Sequence, residues 1–188
     1  MLWCDELAAR MQGGQIINDS KTPSGRVHVG ALRGVLIHHA MFRALQDRNI
    51  PARFIFGVDD YDPVDEIPHG EAAHFEKFLG APLCNVPPPA GSPSPNMAEH
   101  FIKEFFDVFE ELGVRADIYR MSEIYRSGKF NDAIDKILCN ASIVRRVYKE
   151  VSNSVRSDTW FPFQVVCEKC GRIGTTEVTA YDGKEVVY

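Results

Sequence analysis

The residues best suited to chemistry form a run of small side chains that leads into a histidine and a glycine, TPSGRVHVG at 22–30. A short apolar strand precedes this run, and apolar residues with a helical period follow from Ala31 onward. The order strand, turn, helix leaves unpaired backbone N–H groups and the positive end of a helix dipole at the turn, and both attract anions. Gly25 and Gly30 allow close backbone approach, and the His28 ring can donate to a phosphate oxygen or to ribose. We therefore predict a nucleotide-phosphate site here.

A group of carboxylates follows the next predicted strand. The apolar run 54–58 leads directly into Asp59, Asp60 and Asp62, and Pro63 comes after them. Polar side chains in this position lie at the carboxyl edge of a parallel sheet, which is where ligands of such sheets bind. The alternative interpretation is a solvated turn in which an aspartate caps the following segment.

A third group is the cysteine pair Cys167 and Cys170, followed by a glycine. Two thiolates on one tight turn can occupy two corners of a zinc tetrahedron. A structural zinc site has four ligands, and neither a second pair nor suitably spaced histidines follow in the sequence. The pair is therefore either an empty relic or half of a site whose other ligands lie beyond residue 188. A redox role is the weaker interpretation, because such a pair should begin a helix and the residues after it read as a hairpin.

Helices and strands alternate along the part of the sequence that must position these residues, which indicates βαβ units and a parallel sheet. The patterns predict a helical start through residue 10, strands at 15–18, 52–58 and 114–120, and helices at 30–48, 69–80, 97–113, 122–125 and 131–151. Six prolines over 82–95 predict a loop. Basic residues on the polar side of the last helix are interpreted as solvated surface rather than an RNA contact. Short β runs are predicted around Cys167.

Length and composition describe a single core with a smaller appendage. The sequence has 188 residues, a net charge of -5 and 25% charged residues, without a basic run that would mark a nucleic-acid surface. The apolar runs all fall short of the roughly 20 residues that a membrane span needs, and the N-terminus does not resemble a signal peptide. We therefore expect a cytosolic protein without a membrane partner. Five cysteines without a framework spacing fit reduced thiols.

Taken together, the motifs resemble those of the class I lysyl-tRNA synthetases, in the order found in that family. The resemblance rests on residues 22–30, which look like the family's HIGH signature, and on 59–63, 98–101, 122–128, 160–162 and 167–170. It implies an α/β fold with a Rossmann-like parallel sheet and flanking helices, followed by the start of a zinc-knuckle-like β insertion. We expect residues 1–155 to form the N-terminal part of the catalytic domain and 156–188 a partial insertion. The second Rossmann half, the KMSKS loop and the anticodon-binding domain of the family are not in this sequence.

The resemblance also implies an activity and a set of site residues. The family activates lysine with ATP and Mg²⁺ to lysyl-adenylate and transfers the lysyl group to tRNA(Lys). His28 and Gly30 would serve catalysis, and Asp60 and Asp62 would join Thr22 in binding lysine. The nucleotide would be held by the residues of the signature, namely Thr22, Pro23, Ser24, Gly25, His28, Gly30 and Ala31. Cys167 and Cys170 would contribute to a structural Zn²⁺ site.

Several positions depart from the family pattern. Ala31 stands where the signature usually has a histidine or an asparagine, so one side-chain hydrogen bond to the nucleotide is lost. Ser20 and Lys21 stand where the family tends to have glycine and an apolar residue, and the proline loop keeps only His100 of a metal site found in some relatives. We expect the isolated chain to bind ATP weakly and not to charge tRNA usefully. The alternatives are a non-catalytic synthetase-like binding module and a small nucleotidylyltransferase of the same superfamily.

Overall fold

A computed structural model describes residues 2–188. In this part of the chain the helices are α1 Trp3–Ala8, α2 Leu32–Asp47, α3 Ala72–Phe75, α4 Met97–Glu111, α5 Met121–Arg126, α6 Asn131–Cys139 and α7 Ala141–Ser152. The strands are β1 Gln15–Lys21, β2 Ala52–Val58, β3 Asp117–Arg120, β4 Ala180–Tyr181 and β5 Val186–Val187. No helix among these residues is long and apolar enough to cross a membrane.

Strands β1, β2 and β3 form a parallel sheet in that order. Their last residues stand in register, because Lys21 is the partner of Val58 and Val58 is the partner of Arg120. The three strands therefore deliver the segments that follow them to one edge of the sheet. The predicted α/β fold with a parallel sheet is confirmed.

Both helical connections of the sheet pack on the same face. A right-handed crossover from β1 to β2 and a second one from β2 to β3 progress in the same direction, so they place α2 and α4 on one side. The alternate residues Phe54, Phe56 and Val58 face these helices and are buried. Phe56 packs edge-on against Phe109 of α4, with ring centres 5.2 Å apart. Ile16 on the opposite face remains 68% exposed.

The segment between β2 and α4 is less helical than its pattern predicts. Only α3 and a 3-10 turn at Glu76–Phe78 form where the sequence predicts a helix over 69–80. The chain reverses at Gly80, whose N–H donates to the Val64 carbonyl, and this turn ends the helix early. Phe75 still reaches the core, where it packs in a second apolar cluster with Leu83 and Val86. The proline-rich segment is mainly a loop, as predicted, with one short 3-10 turn.

The predicted helix over 131–151 is two helices. Asn140 leaves the helical conformation with φ -112° and ψ 26°, and its side-chain amide donates to the Lys136 carbonyl. This local bond competes with the helical backbone and separates α6 from α7. Helix α7 then ends at Ser152, and the next residue, Asn153, has a left-handed conformation with φ 53°.

The C-terminal segment contains a β-hairpin, but not where the sequence predicts it. The residues from 167 to 176 contain turns at 168–170 and 174–175 and no strand, and the paired strands are β4 and β5, joined through Gly183 with φ 95°. The short β runs predicted around Cys167 are therefore wrong. The Tyr181 hydroxyl of the hairpin donates to the Asp135 carboxylate on α6 at 2.7 Å.

Candidate active site

The turn after β1 and the carboxylates after β2 meet at the carboxyl edge of the sheet. The Thr22 hydroxyl donates to the Asp62 carboxylate at 2.8 Å, although the two residues lie 40 positions apart. One step earlier, the Asp59 N–H donates to the Lys21 carbonyl and extends the ladder between the strands. The structure thus brings together the two segments that the sequence singles out.

The turn at 22–30 leads into α2 through a 3-10 turn at Val29–Ala31. His28 has an extended backbone before this turn, and its side chain is exposed, as is Gly30. A Cβ atom on Gly30 would lie 2.8 Å from Nδ1 of His28, so a side chain at that position would displace the imidazole. The helix start is therefore open to solvent and carries an exposed histidine.

Most of the other residues of the turn contact neighbouring parts of the fold. Pro23 is fully buried, and Ala31 packs against the main apolar core. Gly25 lies next to Pro68 with room for a Cβ atom at 3.8 Å. The Arg26 guanidinium pairs with Glu104 on α4, a solvent-exposed contact that has little energetic weight. Ser24 is partly buried within the same turn.

Asp60 is buried away from the open part of this edge. Its side chain accepts a hydrogen bond from the Ser122 N–H at 2.8 Å and another from the Ser122 hydroxyl at 2.5 Å. Both residues are below 5% exposed, at 3% and 4%. Asp60 therefore fastens the end of β2 to the start of α5, and its two oxygens are occupied by the protein itself.

Asp59 and Asp62 face a cavity of about 1040 Å³, a volume at the upper limit of small-molecule sites. Asp59 is partly buried. Burial raises the pKa of its carboxyl group, and repulsion by Asp62 and Asp60 adds to this, while hydrogen bonding to Ser20 and the charge of Lys21 lower the pKa. The net direction is upward, as expected where carboxylates are crowded. The sequence marks Asp59 as part of the motif but does not select it over Asp60.

Aromatic rings and guanidinium groups line the rest of the cavity. Tyr61 and Tyr125 stack with ring centres 5.3 Å apart, and Arg126 lies 5.5 Å from the centre of the Tyr61 ring. A second group of this kind contains Tyr148, Arg156 and Trp160, which come from α7 and the segment after it. The sequence patterns do not predict these walls, since they depend on how α5 and α7 pack around the sheet edge.

Among the described residues, the charged side chains that line the cavity do not form ion pairs with each other. Its walls carry the carboxylates of Asp59, Asp62 and Glu177 and the guanidinium groups of Arg126 and Arg156. Over residues 2–188, none of these five groups takes part in an ion pair within 4.0 Å. A cavity with free charges of both signs suits a small ligand that itself carries both.

An ion pair behind the site holds helix α4 to the end of the sheet. Arg120 binds both carboxylate oxygens of Glu99, at 2.5 and 2.9 Å, and the pair is partly buried. This hydrogen bonding raises the pKa of the Arg120 guanidinium, although burial opposes the shift. Glu99 lies in the first turn of α4, where the Asn96 side chain caps the helix.

Cys167 and Cys170 lie on one tight turn. The Gly171 N–H donates to the Cys167 carbonyl, and hydrogen bonding from the Cys170 and Lys169 backbones lowers the pKa of the Cys167 thiol. Backbone N–H groups directed at a sulfur stabilise a thiolate, which is the form that binds zinc. In the described residues, no group of three or more histidine, cysteine or acidic side chains could hold a metal ion. The turn fits half of a zinc site.

Sequence comparison assigns the chain to a family. Residues 1–188 match the family described as tRNA synthetases class I (K). The chain therefore belongs to the class I tRNA synthetase (K) family.

Proteins similar to the chain include archaeal ones that are named lysine–tRNA ligase. The chain is 34% identical to the Methanosarcina barkeri protein over 183 residues, which is 96% of the chain and 34% of that relative. It is 32% identical to the Methanococcus maripaludis protein over 98% of the chain and 36% of the relative. For the Archaeoglobus fulgidus protein the identity is 31%, over the whole chain and 38% of the relative. The chain thus spans about a third of the length of these curated relatives.

Proposed function

We propose that this chain forms the ATP- and lysine-binding part of a lysine–tRNA ligase. The observation that carries the proposal is the hydrogen bond between Thr22 and Asp62, because it joins the helix-start turn to the carboxylates that line one cavity. ATP, with its Mg²⁺, would place its phosphates at the start of α2, where the backbone and the exposed His28 ring can donate. Gly30 keeps the space in which that ring stands.

Lysine would occupy the cavity beyond the turn. It carries two ammonium groups, and Asp59 and Asp62 supply acceptors for charge-assisted hydrogen bonds. The apolar part of the substrate would lie against the stacked Tyr61 and Tyr125 rings. Asp60, expected from the resemblance to bind lysine, is assigned a positioning role instead, since both its oxygens are bound to Ser122.

The reaction would proceed in two steps in the complete enzyme. The lysine carboxylate attacks the α-phosphorus of ATP and pyrophosphate leaves. A hydroxyl of the terminal ribose of tRNA(Lys) then attacks the lysyl carbonyl, and AMP leaves. Both steps depend on positioning and on stabilisation of negative charge, which the start of α2 and His28 are placed to provide. Residues 1–155 would supply this machinery, and the chain by itself would bind substrates without charging tRNA at a useful rate.

Residues 156–188 would form part of an insertion that is stabilised by zinc. Cys167 and Cys170 would hold the ion together with two ligands from outside the described residues. A zinc ion in this position links two chain segments and so contributes to folding.

Calorimetric titration of the chain with lysine, ATP and a non-hydrolysable lysyl-adenylate analogue tests the proposal. We expect lysine to bind at least tenfold more weakly to Asp62→Asn, since one charge-assisted hydrogen bond contributes about 1.5–3 kcal/mol. Asp65→Asn is the matched control, because Asp65 is an exposed carboxylate outside the cavity. Equal lysine affinity of the two variants would contradict the lysine site.

A binding module without catalysis is the second candidate, and Ala31 favours it. Its methyl group packs against the core and offers no hydrogen bond to a nucleotide. Lysine-dependent exchange of pyrophosphate into ATP distinguishes the candidates when this chain is joined to the remaining two thirds of a relative. Lysine binding without exchange would favour the module, provided that the relative's own N-terminal part restores exchange.

A further inference from the structure

A second cavity lies at the opposite edge of the sheet, where the strands begin. Its volume is about 490 Å³, within the usual range of small-ligand sites. Helix α2 lines one side of it, and the first residues of β2 and the turn before β3 line the other. We call it the amino-edge cavity, and its lining includes His39, Phe42, Arg43, Arg53, Arg115 and Asp117. The seven residues of β2 separate it from the candidate active site by roughly 20 Å.

Arginines from three separate parts of the chain converge on the amino-edge cavity. Arg43 comes from α2, Arg53 from β2 and Arg115 from the turn before β3. Asp117, the one acidic residue in the described lining, accepts from the Arg53 guanidinium at 2.8 Å. Within residues 2–188, Arg43 and Arg115 have no carboxylate within 4.0 Å. Two guanidinium charges are therefore available to an external anion, in a chain whose net charge is -5.

Aromatic rings form the apolar part of the lining. The His39 ring lies nearly parallel to those of Phe42 and Phe54, at interplanar angles of 29° and 26°. Burial lowers the pKa of the His39 imidazole, and the positive charge of Arg43 lowers this pKa further. Both effects favour the neutral ring, so His39 contributes an aromatic surface while the arginines contribute the charge. The cavity thus combines a ring surface with positive charge.

These two features together indicate the class of ligand. Arginine guanidinium groups bind phosphate oxygens through paired N–H donors. A phosphate monoester carries a charge of about −1.5 to −2 at neutral pH, which matches the two unpaired guanidinium charges. A phosphate ion alone would leave the aromatic wall in contact with water, whereas a planar ring attached to the phosphate would cover it.

We propose that the amino-edge cavity binds a small ligand that combines a planar ring with a phosphate group, of the nucleoside monophosphate class. The ring would lie against Phe42 and His39, and the phosphate would lie between Arg43 and Arg115. This site is additional to the proposed function and does not rest on it, because the two cavities lie at opposite edges of the sheet.

Proton NMR of the histidine rings provides the test. The signals of His39 are assigned by comparison with His39→Gln, and AMP is the probe. We expect AMP to shift these signals in a saturable way and to raise the pKa of His39, because the phosphate offsets the charge of Arg43. Inorganic phosphate and adenosine each carry only one of the two recognised groups, so each should bind about tenfold more weakly than AMP or worse.

Two substitutions separate the contribution of the charge from that of the ring. Arg115→Gln should weaken AMP binding about fivefold or more, because it removes one charge-assisted contact from a solvent-exposed site. Arg48→Gln is the matched control, since it removes the same charge from the exposed end of α2, outside the cavity. Phe42→Leu, checked for folding by circular dichroism, should weaken the binding of AMP without changing that of inorganic phosphate.

Several results would overturn the amino-edge site. Unshifted His39 signals would do so, as would equal losses of AMP affinity in Arg115→Gln and Arg48→Gln. Equal affinity for AMP and inorganic phosphate would also overturn it, because the ring would then contribute nothing. Shifts confined to His28 would place AMP at the start of α2 instead. That outcome would agree with the proposed function while removing the amino-edge site, so the two proposals fail separately.

Discussion

Replacing Asp60 separates a structural role from a ligand-binding role at the site. Asp60 is 3% exposed and accepts two hydrogen bonds from Ser122. In Asp60→Asn, an amide NH₂ group replaces one of the acceptor oxygens and faces a donor. We expect Asp60→Asn to lower the free energy of unfolding by about 2–4 kcal/mol, because hydrogen bonds to a charged group contribute about 1.5–3 kcal/mol each and removal of the charge returns part of the cost of burial.

Urea and thermal unfolding, followed by circular dichroism, measure this loss. For a chain of this length, each kcal/mol corresponds to a shift in Tm of about 2–4 °C, so a decrease of roughly 4–16 °C is expected. Ser122→Ala removes only the hydroxyl bond and should cost less than Asp60→Asn. The double variant should be less destabilised than the sum of the two, because both changes remove the same bond.

Asp62→Asn is the matched comparison, since Asp62 is exposed at the cavity. Its stability should stay within about 0.5 kcal/mol of the unmodified chain while lysine binding weakens. The reasoning is refuted if Asp60→Asn is as stable as the unmodified chain and nevertheless loses lysine. That result would return Asp60 to the ligand-binding role that the sequence predicts.

Three further results are expected. Gly30→Ala should weaken ATP binding several-fold with little change in stability, because the added Cβ displaces the His28 ring; unchanged ATP affinity would contradict a role for that ring. As the pH falls, lysine affinity should begin to decline at a higher pH than it would for an aspartate of ordinary pKa. The reason is that the raised pKa of Asp59 lets its carboxylate be protonated at that higher pH. The free energy of unfolding should instead increase as the pH falls over that range, because the native state binds the proton more tightly than the unfolded state does. Asp59→Asn should remove both effects. Hydrogen bonding to Asp135 raises the pKa of Tyr181 to about 12. Tyr181→Phe should therefore remove the last tyrosine to ionise in a spectrophotometric titration, and an unchanged curve would exclude that bond.

The fold was predictable where local signals agree. Strand β2 occupies 52–58 as predicted, since its apolar run is bounded by a proline on one side and by carboxylates on the other. Helix α4 has a side-chain cap at Asn96 and apolar residues spaced for burial. The segment 69–80 has the same apolar spacing but no comparable cap, and the reversal at Gly80 depends on a partner in distant sequence, Val64.

The sequence predicts where the candidate site lies, but it does not predict which role each residue has there. Asp59 and Asp60 are adjacent, so both belong to the same motif, and only Ser122, 62 residues further along, determines which of them is buried. The wall formed by Tyr148 and Trp160 has no sequence period, because it depends on the break at Asn140 and on the path of the chain after α7. Such contacts arise from tertiary packing rather than from local pattern.

Two departures from the family pattern act on one carboxylate. Burial and two neighbouring aspartates raise the pKa of Asp59, which would favour a neutral form unable to bind an ammonium group by charge. Ser20 and Lys21 oppose this shift, the first by hydrogen bonding and the second by its charge. The lysine at position 21 therefore need not exclude a cationic substrate, because its electrostatic effect falls on a carboxylate that is crowded by others. Within the proposed function, these residues help to keep Asp59 ionised for the substrate.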